Sequence, residues 1–105
     1  MRPPSLAAAY LHLVPILSEV ARDHGYALAV HGTLARDLDV VAVAWTEAAC
    51  TAEELVAAIH GAVMYRSLQV PLGPEAKPHG RLAWSIPLDG GAFIDLSVVP
   101  PTVAP

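Results

Sequence analysis

The chain has 105 residues, 54% of them hydrophobic and 15% charged, and ten acids against six Lys and Arg give a formal net charge of −4. That length suits one domain around one core, and the apolar share excludes a disordered, solvating chain. The acidic balance excludes a general nucleic-acid coat, whose affinity comes from Lys and Arg neutralising phosphates.

The single cysteine, Cys50, excludes an internal disulfide and a cysteine-based zinc site, so the cytoplasm is the expected compartment. The apolar start is broken by His12, Pro15 and Glu19. It falls short of the roughly 18 residues that span a bilayer, and no membrane association is expected. One domain over 1–105 is expected, with its core over about 5–99 and a proline-rich tail over 100–105.

Ser5 is placed to cap a helix over 6–24 whose Leu13, Ile16, Leu17 and Val20 share a face. Pro15 predicts a kink or two shorter helices, and Gly25 predicts the stop. A strand over 26–31, a turn at 32–36 and a valine-rich strand over 37–45 follow. Thr51 and Glu54 form a capping box for a helix over 52–63 that turns Leu55, Val56, Ile59 and Val63 inward. The stretch 67–80, with Gly73, Pro74, Pro78 and Gly80, reads as a long irregular loop and a candidate lid. A hairpin of 81–88 and 92–99 turns at Asp89-Gly90-Gly91. Trp45 and Trp84 are both expected to anchor the core. The fold class is α+β: a mixed, mainly antiparallel sheet of about four strands with two main helices on one face.

Three acids stand out. Asp37 and Asp39 are alternate residues at a strand start, so both carboxylates point to one face. Asp95 interrupts the apolar run Phe93-Ile94-Asp95-Leu96, where an unpaired charge is costly. If the two strands are neighbours, the acids converge, and oxygen ligands of this kind favour Mg2+ or Mn2+. His31 ends a strand beside the acids, and His79 precedes Gly80-Arg81. Arg36 and Arg81 carry guanidinium forks suited to phosphate. Cys50 precedes a helix start, a position that lowers a thiol pKa, although no base is spaced to use it. No phosphate loop, dinucleotide fingerprint, zinc helix or serine elbow is present.

The succession Gly32-Thr33, Asp37-Leu38-Asp39 and a distant Asp95 resembles the nucleotidyltransferase (polymerase beta-like) superfamily. The resemblance implies a turn that holds a triphosphate, through Gly32 and Thr33. It implies metal ligation by Asp37, Asp39 and Asp95, with Asp95 as the alternative base for an incoming hydroxyl. Arg36, His79 and Arg81 would assist at the phosphates. Only Leu34-Ala35-Arg36 separates the turn from the first acid, a shorter connection than the family's. The segments 31–39 and 78–81 also look like parts of small proteins encoded by tailed phages and prophages.

The resulting expectation is a Mg2+- or Mn2+-dependent site that takes a nucleoside triphosphate and transfers a nucleoside monophosphate to a hydroxyl. The alternative is a non-catalytic, phage-type modulator of a protein partner on a degenerate version of that fold. A homodimer built on an exposed hairpin edge is a third.

Overall fold

The structure is a computed structural model that describes residues 7–102, with side chains from Tyr10 onward. The capping position at Ser5, the helix start at Leu6 and the end of the proline tail lie outside the described residues. A 3-10 segment, Ala7–Leu13, leads into α1, Val14–Asp23. Pro15 sits in the first turn of α1, where the missing N–H has no helical acceptor to lose. The expected division at Pro15 is therefore a change of helix type at that residue. β1, Tyr26–His31, follows directly. β2, Leu38–Ala44, α2, Ala52–Ala62, and β3, Leu72–Ala76, come next. The chain closes on β4, Leu82–Pro87, and β5, Phe93–Val99.

The five strands form one mixed sheet in the order β1-β2-β5-β4-β3. β2 runs parallel to β5, and every other neighbouring pair is antiparallel. The sheet thus has five strands where four are expected, because the stretch 67–80 contains β3. Its Gly73 and Pro74 read as loop residues, yet proline is tolerated on an edge strand whose outer N–H groups need no partner.

The helices cover one face. Leu38, Val40 and Ala42 of β2 and Ile94, Leu96 and Val98 of β5 are all within 1% of full burial. They pack with Leu13, Leu17, Ala21, Leu55 and Ile59 from the helical layer. This alternation is what period-two strands and a 3.6-residue helix require of one shared core. Trp84 joins that core, whereas Trp45 is 77% exposed and does not anchor it. Trp45 falls just past the end of β2, where its backbone N–H is held by the Gly25 carbonyl and the core has already ended.

Two local devices fix the ends. At the start of α2, Thr51 Oγ1 accepts from the Glu54 N–H at 3.1 Å while Glu54 Oε1 accepts from the Thr51 N–H at 3.2 Å, the reciprocal cap expected. At the β4–β5 turn, Arg66 forks onto both carboxylate oxygens of Asp89 at 2.8 and 3.0 Å. The Arg66 guanidinium also lies over the Tyr10 ring at 5.1 Å, and Tyr10 Oη donates to the Asp89 carbonyl. Replacing Thr51 with Ala is expected to lower unfolding free energy by ~1 kcal/mol in urea denaturation, with an unchanged m-value. A loss indistinguishable from zero would show that the cap contributes nothing.

Candidate functional site

The face of the sheet away from the helices carries the polar side chains. Because strand registers are fixed, its residues fall into rows across the strands. One row runs His31, Asp39, Asp95, Ser85, Leu72, from β1 through β2, β5 and β4 to β3. The next runs Ala29, Val41, Ser97, Ala83, Glu75. The first row places two carboxylates side by side in the middle of the sheet, one from each strand of the parallel pair. It lines a groove of about 430 Å3 that Glu75, Lys77 and Ser97 also border.

Asp39 and Asp95 are both half-buried and stand opposite each other on the neighbouring strands β2 and β5. Ser85 Oγ donates to Asp95 Oδ1 at 3.3 Å. Asp37 stands two residues before Asp39 and spends Oδ1 on the Phe93 N–H at 3.1 Å, tying the entrance of β2 to that of β5. Burial pushes the Asp95 carboxyl above its ordinary 3.8. The charge of Asp37, and the hydrogen bond and charge of Asp39, push it further the same way, against the opposing Ser85 hydrogen bond. Of the three acids expected to converge, Asp37 and Asp39 both act on Asp95, Asp39 as its register partner and Asp37 while anchored to backbone. Among the described residues, no group of three or more His, Cys, Asp or Glu side chains is arranged to hold a metal ion.

Gly32 explains how the turn meets this site. Its φ is +77°, and a Cβ built there would lie 2.2 Å from Asp39 Oδ2. The turn thus packs its bare α-carbon on the carboxylate, which any side chain would displace. Leu34, two residues on, also has positive φ, at 58°. Thr33 Oγ1 accepts from the Ala35 N–H at 3.4 Å, closing its own short turn.

The other expected phosphate contacts are dispersed. Arg36 is exposed beyond the turn, and His79 is exposed at φ 66° in the 3-10 segment Pro78–Gly80. Arg81 reaches the site indirectly: its Nη1 donates to Ser97 Oγ at 3.3 Å and its Nε to the Pro78 carbonyl at 3.2 Å. Of the five residues, none borders the groove itself. Lys77, which does, pairs with Glu75 at 3.0 Å. Sequence reasoning missed Lys77, Ser85 and Ser97. The even spacing of Ala83-Ser85 and Asp95-Ser97 puts four side chains on the face opposite Trp84 and Leu96, and that alternation was the available signal.

Cys50 departs from expectation in direction. Burial and the neighbouring Glu54 push its thiol up, not down, so the position before α2 does not favour the thiolate. Tyr26, which donates to the Cys50 carbonyl at 2.6 Å, is pushed up to about 12, chiefly by burial.

No family model, curated protein or solved structure matches the chain. The site must therefore be read from its own chemistry.

The raised Asp95 carboxyl has a definite consequence for stability. The folded state holds that proton more tightly than the unfolded chain, so this contribution favours folding at low pH. It is lost as pH rises from the ordinary carboxylate range through the higher folded value. Asp95→Asn is expected to raise the melting temperature at pH 7 by roughly 2–5 °C and to have little effect near pH 3.5. Thermal melts of both proteins at the two pH values measure the difference. A variant less stable than the parent at pH 7 would refute the repulsion.

Proposed function

We propose that the open-face groove binds a nucleoside triphosphate together with Mg2+ or Mn2+ and transfers a nucleoside monophosphate to a hydroxyl. The observation that carries this reading is the pairing of Asp39 with Asp95 across the parallel strands, both lining one polar groove. Two close carboxylates repel unless a proton or a cation lies between them. Mg2+ is commonly held by one or two carboxylates plus substrate phosphates and water, so two facing acids fit an ion that arrives with its nucleotide. The order of elements supports the resemblance to nucleotidyltransferases: Gly32-Thr33 in a turn, Asp37 and Asp39 at the entrance to β2, and Asp95 in the adjacent β5.

In this reading Asp39 and Asp95 hold the ion together with phosphate oxygens and water, while Asp37 stays on the Phe93 N–H and adds its charge at the edge of the site. A bound divalent cation supplies charge neutralisation at the reacting phosphate. Asp95 is also the group suited to accept the proton of the acceptor hydroxyl, since a carboxyl raised from its usual range is a better base, and Ser85 orients it. The hydroxyl oxygen bonds to the α-phosphorus while the bond to the bridging oxygen breaks, and pyrophosphate leaves. Gly32 packs on the Asp39 carboxylate, and Thr33 follows it in the turn. Arg81, with donors left beyond Ser97 and Pro78, is linked to the groove through Ser97. Arg36 and His79 are the outer candidates for phosphate.

Two observations favour a second reading, a non-catalytic binding protein on the same fold. Asp37 is engaged with the Phe93 N–H, and Thr33 closes its own turn. Isothermal titration of Mg2+ or Mn2+ with nucleoside triphosphates separates the readings. Metal-dependent binding that Asp39→Asn weakens at least tenfold is expected, together with pyrophosphate release when a hydroxyl acceptor is supplied. Binding without any release would favour the second reading, and no metal-dependent binding would remove the first. Gly32→Ala is expected to abolish the metal-dependent binding as well, because its methyl group must displace the Asp39 carboxylate.

A further inference from the structure

The two edges of the sheet are unlike. At one edge, β3 carries Pro74, which has no N–H to offer, together with Glu75 and a register shift between Leu72 and Glu75. Lys77 follows immediately. Proline, charge and irregularity are the usual guards against a further strand. At the other edge, β1 reads Tyr-Ala-Leu-Ala-Val-His, with no proline, no glycine and no Lys, Arg, Asp or Glu. Among the described residues no strand pairs with its outer side, so alternate backbone N–H and C=O groups point outward unpaired. The β4–β5 hairpin, expected to present the exposed edge, is interior instead, flanked by β2 and β3.

From this asymmetry we infer that β1 is a dimerisation edge and that its occupant is the β1 of a second copy, running antiparallel. The guarded β3 edge blocks head-to-tail stacking of β1 onto β3 of the next molecule, which would propagate into fibres. Antiparallel β1 against β1 is self-complementary and closes after two chains. A two-fold axis normal to the sheet, centred on Leu28 or Ala29, keeps both helical layers on one face and both grooves on the other.

Charge supports the same occupant. Each copy carries a net charge of −4, and β1 brings no acid of its own to a two-fold contact. Asp39 lies one strand in from the edge, opposite His31 at the end of β1. In the dimer the two Asp39 residues are at least about 14 Å apart across three strand spacings, beyond the Debye length of about 8 Å at physiological salt. They also lie toward opposite ends of the paired strands.

The apolar surface beside β1 suits this pairing. Trp45 stands at the Tyr26 end, 77% exposed, and Val30 near the other end is 37% exposed. A recess of about 390 Å3 runs along Tyr26–Leu28 between Trp45 and the α1 residues Ser18 and Arg22. Antiparallel pairing brings the Val30 end of the second copy to that recess, twice per dimer.

Sedimentation equilibrium of the full chain at tens of micromolar tests the inference. The expected mass is twice 11.0 kDa. Ala29→Lys, which sets two ammonium groups at or beside the axis, is expected to give the monomer mass with an unchanged far-ultraviolet circular dichroism spectrum. Leu68→Lys, at a side chain 91% exposed elsewhere, is expected to leave the dimer intact. Hydrogen exchange on the unsubstituted protein gives a reading independent of any variant: the outward amides of β1 should slow at least tenfold between low and high protein concentration. A monomer at tens of micromolar, or a dimer with concentration-independent exchange in β1, overturns the inference. In a monomer, a β1 edge taken by another protein's strand would be the remaining occupant.

Discussion

The parallel pairing of β2 with β5 is the constraint on which the rest of the molecule depends. It buries Leu38, Val40 and Ala42 against Ile94, Leu96 and Val98 on one face. The same register then obliges Asp39 to meet Asp95 on the other. Core and site are thus two faces of one strand pair, and a slip of one residue would exchange them. The hydrophobic face fixes a register that the acids alone would oppose, since two carboxylates on paired residues repel. Such a pair at the centre of a sheet is kept at some expense to stability, and the proposed function rests on it.

The surrounding residues hold the pair in place, and among them Ser85 moderates the repulsion while the charge of Asp37 adds to it. Ser85 donates to Asp95, and Asp37 turns one oxygen to backbone. The Gly32 α-carbon packs directly over the Asp39 carboxylate. Each of these is a short-range contact made by a different strand or turn, so the acid pair is held from β1, β4 and β5 at once. The Arg66–Asp89 fork and the Tyr10 ring do comparable work at a distance, by fixing the turn that delivers β5 into the sheet centre.

Much of this was legible in the sequence. β1 has its anticipated bounds, and the capping box of Thr51 and Glu54 fixes the start of α2, because both signals are local. The helical division at Pro15 and the turn at Asp89-Gly90-Gly91 are local in the same sense. β3 was hidden because Gly73 and Pro74 argue against a strand unless one knows that it lies at an edge, and edge position is a property of the assembled sheet. Trp45 misled for a similar reason: the valine run of β2 ends one residue before it, and composition does not say where a core stops. The adjacency of Asp39 and Asp95 was stated only as a condition, since strand order is tertiary information. The contributions of Ser85, Ser97 and Lys77 depended on that order too.

The span of chain between the two partners has a kinetic side. Asp37 and Phe93, which clip the entrances of β2 and β5 together, are 56 positions apart. Closing so long a loop costs entropy that grows only slowly with length, as about (3/2)RT ln n. It must nonetheless be met before the parallel ladder returns anything, and non-local pairings of this kind set slow folding rates. The β4–β5 hairpin, by contrast, spans a three-residue turn. The molecule is therefore built so that its quickest contacts assemble half of the groove wall, and the acid pair becomes complete only when the slowest one arrives.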